Sequence, residues 1–229
     1  FGGRFTAFQH GGHIAVLDMI GNELKQNKDD QYRHFEPRLS VRYSINPTTS
    51  LKSSYTKNYQ YIHLASMGGM SLPTDLWLPS SNKIKPKFAK QFTLGYFKNL
   101  ENNMWETSIE GYYKEMENIV EYKEGAVPDD NANGSQYQLL TQGNGDSYGV
   151  ELFVKKVFGE TSGWIGYTHS YTNRVFEEIN DGEEFPAKYD RRHDLSITAT
   201  HELSNKWTLS SVFVYATGNA ITLPNERYM

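Results

Sequence analysis

The sequence contains no cysteine, and no apolar run approaches the roughly 18 residues that a membrane-spanning helix needs. The first absence excludes disulfide frameworks and Cys-ligated metal sites. A basic excess is also absent, because the formal net charge of the 229 residues is −4. This charge balance disfavours nucleic acid as a partner.

Aromatic residues are abundant, at 14% with 16 Tyr, and alternating segments recur along the chain. In one of them Leu195, Ile197 and Leu203 would share one strand face, opposite Ser196 and Thr198. We count about nine such strands of roughly 9–11 residues, the length that a tilted strand needs to cross a bilayer. They lie at 3–10, 37–45, 51–61, 91–97, 105–115, 147–156, 164–172, 194–203 and 207–218.

The connections between these strands fall into two classes that alternate along the chain. The short ones are rich in Asn, Pro, Gly and Ser, the expected turn residues. Tight turns are therefore predicted at 46–50, 99–103, 159–163 and 204–206, and long loops at 11–34, 62–89, 117–145 and 174–190. No long helical period competes, apart from a short turn near 16–25. All tight turns then lie at one end of an up-and-down sheet, as in outer-membrane barrels.

Aromatic placement supports the same architecture. Trp105, Trp164 and Trp207 each begin a strand after a tight turn, which predicts an interfacial girdle at that level. Tyr59 and Tyr61, at the opposite end of their strand, are expected in the outer girdle.

The opposite strand face is polar and is expected to line a lumen. Its charged residues are Arg38, Arg42, Glu106, Glu110, Glu151 and Lys155. In a soluble β-sandwich, which the negative mean hydropathy would suit, the same face would be solvated. The segregated turns and the Trp level favour an all-β, antiparallel, up-and-down transmembrane β-barrel segment. Leu195, Ile197 and Leu203 are then predicted to face lipid.

Several longer segments resemble the barrel of TonB-dependent outer-membrane receptors, in that family's order and spacing. The group most similar carries a carboxypeptidase-regulatory-like extension and a plug. The segments are FEPRLSVRYSINPTTSLKSSYTKNYQYIHLAS, SLPTDLWLPSSNKIKPKFAKQFTLGYFKNLENNMWETSIEGYYKEMENIVEYKEGA, SYGVELFVKK, GWIGYTHSYTNR, FPAKYDRRHDLS and VYATGNAITLP.

The resemblance implies a roughly 22-stranded barrel filled by an N-terminal plug. We therefore expect residues 1–229 to form part of the barrel domain, with the plug and the terminal strands outside this chain. The implied function is energised uptake of a scarce nutrient (siderophore, glycan, peptide or cobalamin) across the bacterial outer membrane. The implied partners are the TonB complex acting through the plug, the nutrient, outer-membrane lipid and, as a further candidate, a surface lipoprotein.

The resemblance implies neither an enzyme activity nor a cofactor. A passive outer-membrane pore or structural barrel without a plug is the alternative, and a soluble ligand-binding sandwich is the third hypothesis. The candidate ligand contacts in the external loops are Tyr61, His63 and Trp77. Aromatic side chains in such loops can stack on a sugar or cap a hydrophobic ligand, or can pack the loop onto the barrel mouth.

The HGGH segment at 10–13 has a spacing that can ligate a metal. Metal sites normally need a third or fourth ligand, so we interpret this segment as a polar external loop and predict no metal site.

Overall fold

The computed structural model describes residues 1–17, 23–65, 76–124, 126 and 136–220. These residues form an all-β fold with only two short 3₁₀ turns, at Gln136–Leu139 and Asn180–Gly182. The strands are β1 (Gly2–Leu17), β2 (Glu23–Asn46), β3 (Thr49–Gln60), β4 (Ile62–Ala65), β5 (Leu76–Pro79), β6 (Lys87–Leu100), β7 (Trp105–Tyr122), β8 (Leu140–Lys156), β9 (Thr161–Val175), β10 (Phe185–Pro186), β11 (His193–Ser204) and β12 (Trp207–Ala216).

One sheet contains ten of these strands, in the order β1-β2-β3-β6-β7-β8-β9-β11-β12, and the short β10 pairs with β9. Every pairing is antiparallel and joins strands that follow one another along the chain, apart from the short strands inserted in loops. The up-and-down antiparallel sheet is therefore confirmed. Strands β4 and β5 form a separate two-stranded hairpin.

Within the described parts of the chain, no helix has the length and apolar character that crossing a membrane would require.

The tight turns lie at 47–48, 101–104, 157–160 and 205–206, as predicted. Neighbouring turns are tied together, because Asn99 N donates to Thr48 O over 2.8 Å and Val157 N donates to Met104 O over 2.9 Å. In the turn at 101–104, Asn102 and Asn103 adopt positive φ angles, which Asn tolerates better than most residues. The turns thus define one level at one end of the sheet.

Register aligns the apolar residues of successive strands into rows on one face. Leu39 lies opposite Tyr55, Tyr55 opposite Phe92, Phe92 opposite Tyr113, and Tyr113 opposite Tyr148. All five side chains are exposed. We call this the outer face, because an apolar surface this continuous requires an apolar solvent. Ile197 belongs to the outer face, since it pairs with Ile165 and Phe213.

The inner face carries the polar residues that the alternation predicted. Lys155 forms an ion pair of 3.2 Å with Glu106 on the neighbouring strand. Arg38 donates to Asn58 Oδ1 over 3.2 Å. These polar groups are therefore paired across neighbouring strands.

Several strands are longer than predicted, and the 11–34 loop prediction is wrong. Strand β1 reaches Leu17 and β2 begins at Glu23, so much of the expected loop is a paired hairpin. Likewise β7 extends to Tyr122 and β8 begins at Leu140. Backbone pairing does not require apolar alternation, so strands that continue beyond the bilayer into water lose the sequence signal used to find them. The middle of the turn expected near 16–25 lies outside the described residues.

Two of the girdle assignments are also wrong. Trp164 lies opposite the inner-face residue Lys155 and stacks on Phe153 with the ring centroids 6.1 Å apart, so it faces the interior. Tyr61 is buried rather than turned to lipid. Trp105 and Trp207 retain outer-face positions, because they share strand parity with Ile109 and Leu209.

Candidate functional site

Beyond the bilayer, at the end opposite the tight turns, the chain forms two small cores against the sheet. In the first, Ala65 and Leu78 of the β4–β5 hairpin pack with Ile84, Val120 and Leu140. This core fixes the hairpin on the extended parts of β7 and β8.

The second core fixes the loop between β9 and β11. Phe176 is buried against Met116 and Ile119, with Phe185 partly buried beside them. Met116 shares the inner face with Ala89, its partner in β6. The loop therefore folds onto the inner side of the sheet.

Tyr61, the first predicted contact residue, is held in an aromatic stack. Its ring lies parallel to that of Phe8 with the centroids 5.0 Å apart, and its hydroxyl shares a hydrogen bond of 2.9 Å with Nδ1 of His34. Burial raises the pKa of Tyr61. These contacts show that Tyr61 packs the start of the hairpin against β1 and β2.

His63, the second predicted residue, points inward from the hairpin and is only 3% exposed. Its Nε2 shares a hydrogen bond of 2.9 Å with Ser80 Oγ. Burial, assisted by the positive charge of Lys87, lowers the pKa of His63 to about 4. The imidazole is therefore neutral at pH 7.

Trp77, the third predicted residue, lies on the other side of the same hairpin and is 64% exposed. It is paired with Leu64, and Ile62 is exposed beside them. Tyr61 and His63 are therefore buried at and beneath the hairpin, whereas Trp77 is presented on its opposite side beside Leu64 and Ile62.

A cavity of about 200 Å³ lies beneath the hairpin on the inner side of the sheet. Its lining residues include the charged Lys87, Glu121, Arg174 and Lys188 together with His63 and Tyr189. They stand beyond the stretch of roughly 10 residues next to the tight turns that crosses the bilayer. The cavity therefore lies on the inner face, beyond the bilayer-crossing part of the sheet and at the end opposite the tight turns.

Glu121 is the one carboxylate among these lining residues. Arg174 forms an ion pair with it, yet burial dominates and raises the pKa of Glu121. Burial and the like charges of Arg174 and Lys114 lower the pKa of Lys87. Cationic groups are crowded around this single acid.

The residues predicted from the sequence do not include Lys87, Glu121, Arg174 or Lys188. Glu121 and Arg174 are 53 residues apart and lie on different strands. No local motif joins them, because only the strand register brings them together.

The described residues contain no group of three or more potential metal ligands. The 10–13 segment lies in β1, where His10 is opposite Asp30, so the polar-loop interpretation is wrong. The side chain of His13 lies outside what the structure describes.

Closer to the tight turns, a second inner-face cavity of about 430 Å³ is lined by Arg42, Lys52, Glu106, Glu110 and Glu151. Glu110 and Glu151 are directly opposite each other on β7 and β8. Like charges in this position repel, so the pair favours a cationic group from whatever adjoins this face.

The family model described as TonB dependent receptor-like, beta-barrel matches residues 1–228. No curated protein sequence matches the chain significantly.

Solved structures share the fold at low sequence identity. The alcaligin outer-membrane receptor FauA from Bordetella pertussis has a TM-score of 0.57 and 14% identity, covering 93% of this chain and 35% of its own. The ferric-catecholate import receptor Fiu from E. coli K12 has a TM-score of 0.56 and 12% identity. The match covers 91% of this chain and 29% of that receptor.

The ferripyoverdine receptor of the outer membrane of Pseudomonas aeruginosa, bound to ferripyoverdine, has a TM-score of 0.55 and 14% identity. The match covers 85% of this chain and 27% of that receptor. The chain therefore spans about a quarter to a third of the structures that it matches.

Proposed function

This chain belongs to the TonB-dependent receptor β-barrel family, and from that premise we propose that it forms part of the barrel of an energised outer-membrane importer. The family is one of bacterial outer-membrane receptors and not of enzymes. The observation that carries the proposal is the family match over residues 1–228, on a sheet whose apolar residues face outward.

In the proposed mechanism, the external mouth captures a scarce nutrient and a plug domain closes the lumen below it. TonB then pulls on the plug and opens a path along the inner face. The charged inner face is suited to a polar contact with the plug that can break and re-form. The Glu110–Glu151 pair in particular would be stabilised by a basic side chain of the plug.

Tyr61, His63 and Trp77 remain the proposed ligand-contacting region, with different roles. Trp77 is exposed on the hairpin and is proposed to contact the nutrient by stacking or apolar contact. His63 lines the cavity as a neutral polar group. Tyr61 is proposed to position the hairpin, because its ring is already packed on Phe8.

The nutrient class is proposed only as a chelate or an oligomer too large or scarce for porin diffusion. The named relatives include receptors for alcaligin, ferric catecholates and ferripyoverdine. These names favour a siderophore over a glycan, a peptide or cobalamin. A surface lipoprotein that covers the external mouth is a further proposed partner.

The test is growth and uptake of labelled candidate nutrients by cells that carry the full-length gene. We expect uptake to be abolished by deleting either this gene or tonB, and restored by the corresponding plasmid copy. Uptake that persists without TonB would contradict the importer proposal.

The alternative of a passive pore is favoured by one feature only, the charged inner face around the second cavity. It predicts steady ion conductance of the full-length protein in planar bilayers without TonB. A closed, non-conducting protein would favour the plug-gated receptor.

A further inference from the structure

We propose that the cavity under the β4–β5 hairpin binds an anionic group, a carboxylate or a phosphate, of the captured nutrient. This inference rests on the proposed function and specifies the chemistry of its ligand. The group would lie between Lys87 and Arg174, on the inner side of the sheet.

The balance of charge in the cavity favours an anion. Lys87, Arg174 and Lys188 line the cavity together with one carboxylate, Glu121, while His63 is neutral at pH 7. The cavity walls therefore carry an excess of positive charge in a confined space. Partial burial strengthens the attraction between these cations and an anion, because the effective dielectric constant is lower than that of water.

Hydrogen bonding at Arg174 also favours an anion. Arg174 uses Nη1 for its ion pair with Glu121, whereas its Nε is buried and has no hydrogen-bond partner among the described residues. A buried donor without a partner is costly. A guanidinium has five N–H donors in a planar fork that suits a second oxyanion.

The position of Lys87 favours an anion as well. Its ammonium is disfavoured where it lies, because it is partly buried and is close to Arg174. An anion brought by the nutrient would relieve that repulsion. A neutral or cationic nutrient would leave it uncorrected.

The experiment measures acylation of individual lysines by acetic anhydride in the purified, full-length receptor, followed by peptide mass spectrometry. Citrate and inorganic phosphate serve as carboxylate and phosphate probes, and sodium chloride at matched ionic strength controls for screening. Lys85, which is exposed outside the cavity, is the internal control.

We expect citrate or phosphate to slow acylation of Lys87 several-fold and to leave Lys85 unchanged. Protection by citrate alone would identify a carboxylate site, and protection by phosphate alone a phosphate site. In Arg174→Gln, half-maximal protection should need about tenfold more probe, because one charge-assisted hydrogen bond is lost. Arg174→Lys should show a smaller loss.

Unchanged acylation of Lys87 with both probes in the unmodified receptor would overturn the proposal. That measurement needs no variant to fold and no TonB. If the probes protect Lys87 but uptake does not depend on TonB, the anion site is supported and the importer mechanism is refuted.

Discussion

In the bilayer-crossing part of β7 the apolar side chains point away from the protein, whereas in its external extension they are buried between protein segments. Ile109 is 47% exposed on the outer face, and Ile119, ten residues further along the same strand, is 3% exposed. A β-bulge between Met116 and Ile119 separates the two regions.

The difference follows from the solvent that each region meets. Within the bilayer, lipid chains cover the outer face and the protein needs no core of its own there. Beyond the bilayer the strands enter water, so apolar residues must be covered by protein. The hairpin and the loop at 176–190 provide that cover, and the cavity lies among the segments that they bring together.

The largest expected effect is in the external core. Phe176→Ala should destabilise the loop at 176–190 by about 3–5 kcal/mol, limited by the loop's own stability, because Phe176 is 1% exposed. Hydrogen exchange of the loop in the full-length receptor, in lipid nanodiscs, measures this change. The matched control is Phe213→Ala on the outer face, where lipid chains can fill the space. Equal losses at the two positions would contradict the comparison.

Next in size is a charge placed on the lipid-facing side. Ile197→Arg should cost about 2–4 kcal/mol, because the guanidinium would enter the hydrocarbon region. Thr198→Arg, one residue along the strand and on the inner face, should cost far less. Equilibrium folding of the full-length receptor into lipid vesicles compares the two variants. The face assignment fails if they tolerate the charge equally.

A smaller effect should depend on pH and be confined to the external region. The pKa of His63 is lowered to about 4 in the folded hairpin, so the unfolded hairpin binds a proton at a higher pH than the folded one. The stability that neutral His63 contributes is complete above an unfolded pKa of about 6.5 and is lost as the pH falls towards the folded pKa. Hairpin opening should increase by up to about tenfold per pH unit in this window.

Amide hydrogen exchange of residues 62–65 and 76–78 between pH 7 and pH 5, corrected for the intrinsic exchange rate, measures that opening. His63→Gln should remove the pH dependence of hairpin opening. The corrected hydrogen exchange of the bilayer-crossing strands should be the same in the variant and the unmodified receptor. If hairpin opening in His63→Gln depends on pH as it does in the unmodified receptor, a group other than His63 is responsible.

The smallest stability effect is expected at Trp77, an exposed apolar residue in water rather than in lipid. Trp77→Ala should change the hairpin's stability by less than about 0.5 kcal/mol, because the side chain is exposed. Nutrient uptake should nevertheless fall if Trp77 contacts the ligand, with Trp77→Phe retaining part of the activity. Unchanged uptake in Trp77→Ala would remove Trp77 from the proposed site.

The sequence by itself determined the sheet within the bilayer. Strict alternation around Ile197 identified the lipid-facing side, and Asn, Pro and Gly in the short connections located the tight turns. Both signals are local, so they can be read without knowing which strands pair. Outside the bilayer the alternation is lost, and β1, β2, β7 and β8 therefore extend beyond their predicted ends.

Only the tertiary structure decided the candidate site. Glu121 pairs with Thr141 and Arg174 with Gly145, so the two side chains meet diagonally across β8, and His63 reaches the cavity because the hairpin packs on Val120 and Leu140. Tyr61 also took a position that its place in the sequence did not indicate, whereas alternation with the outer-face residue Ile165 already places Trp164 on the inner face. The physical reason is that alternation specifies which face a strand residue takes only while the strand is regular, whereas contacts between distant residues depend on register and loop packing.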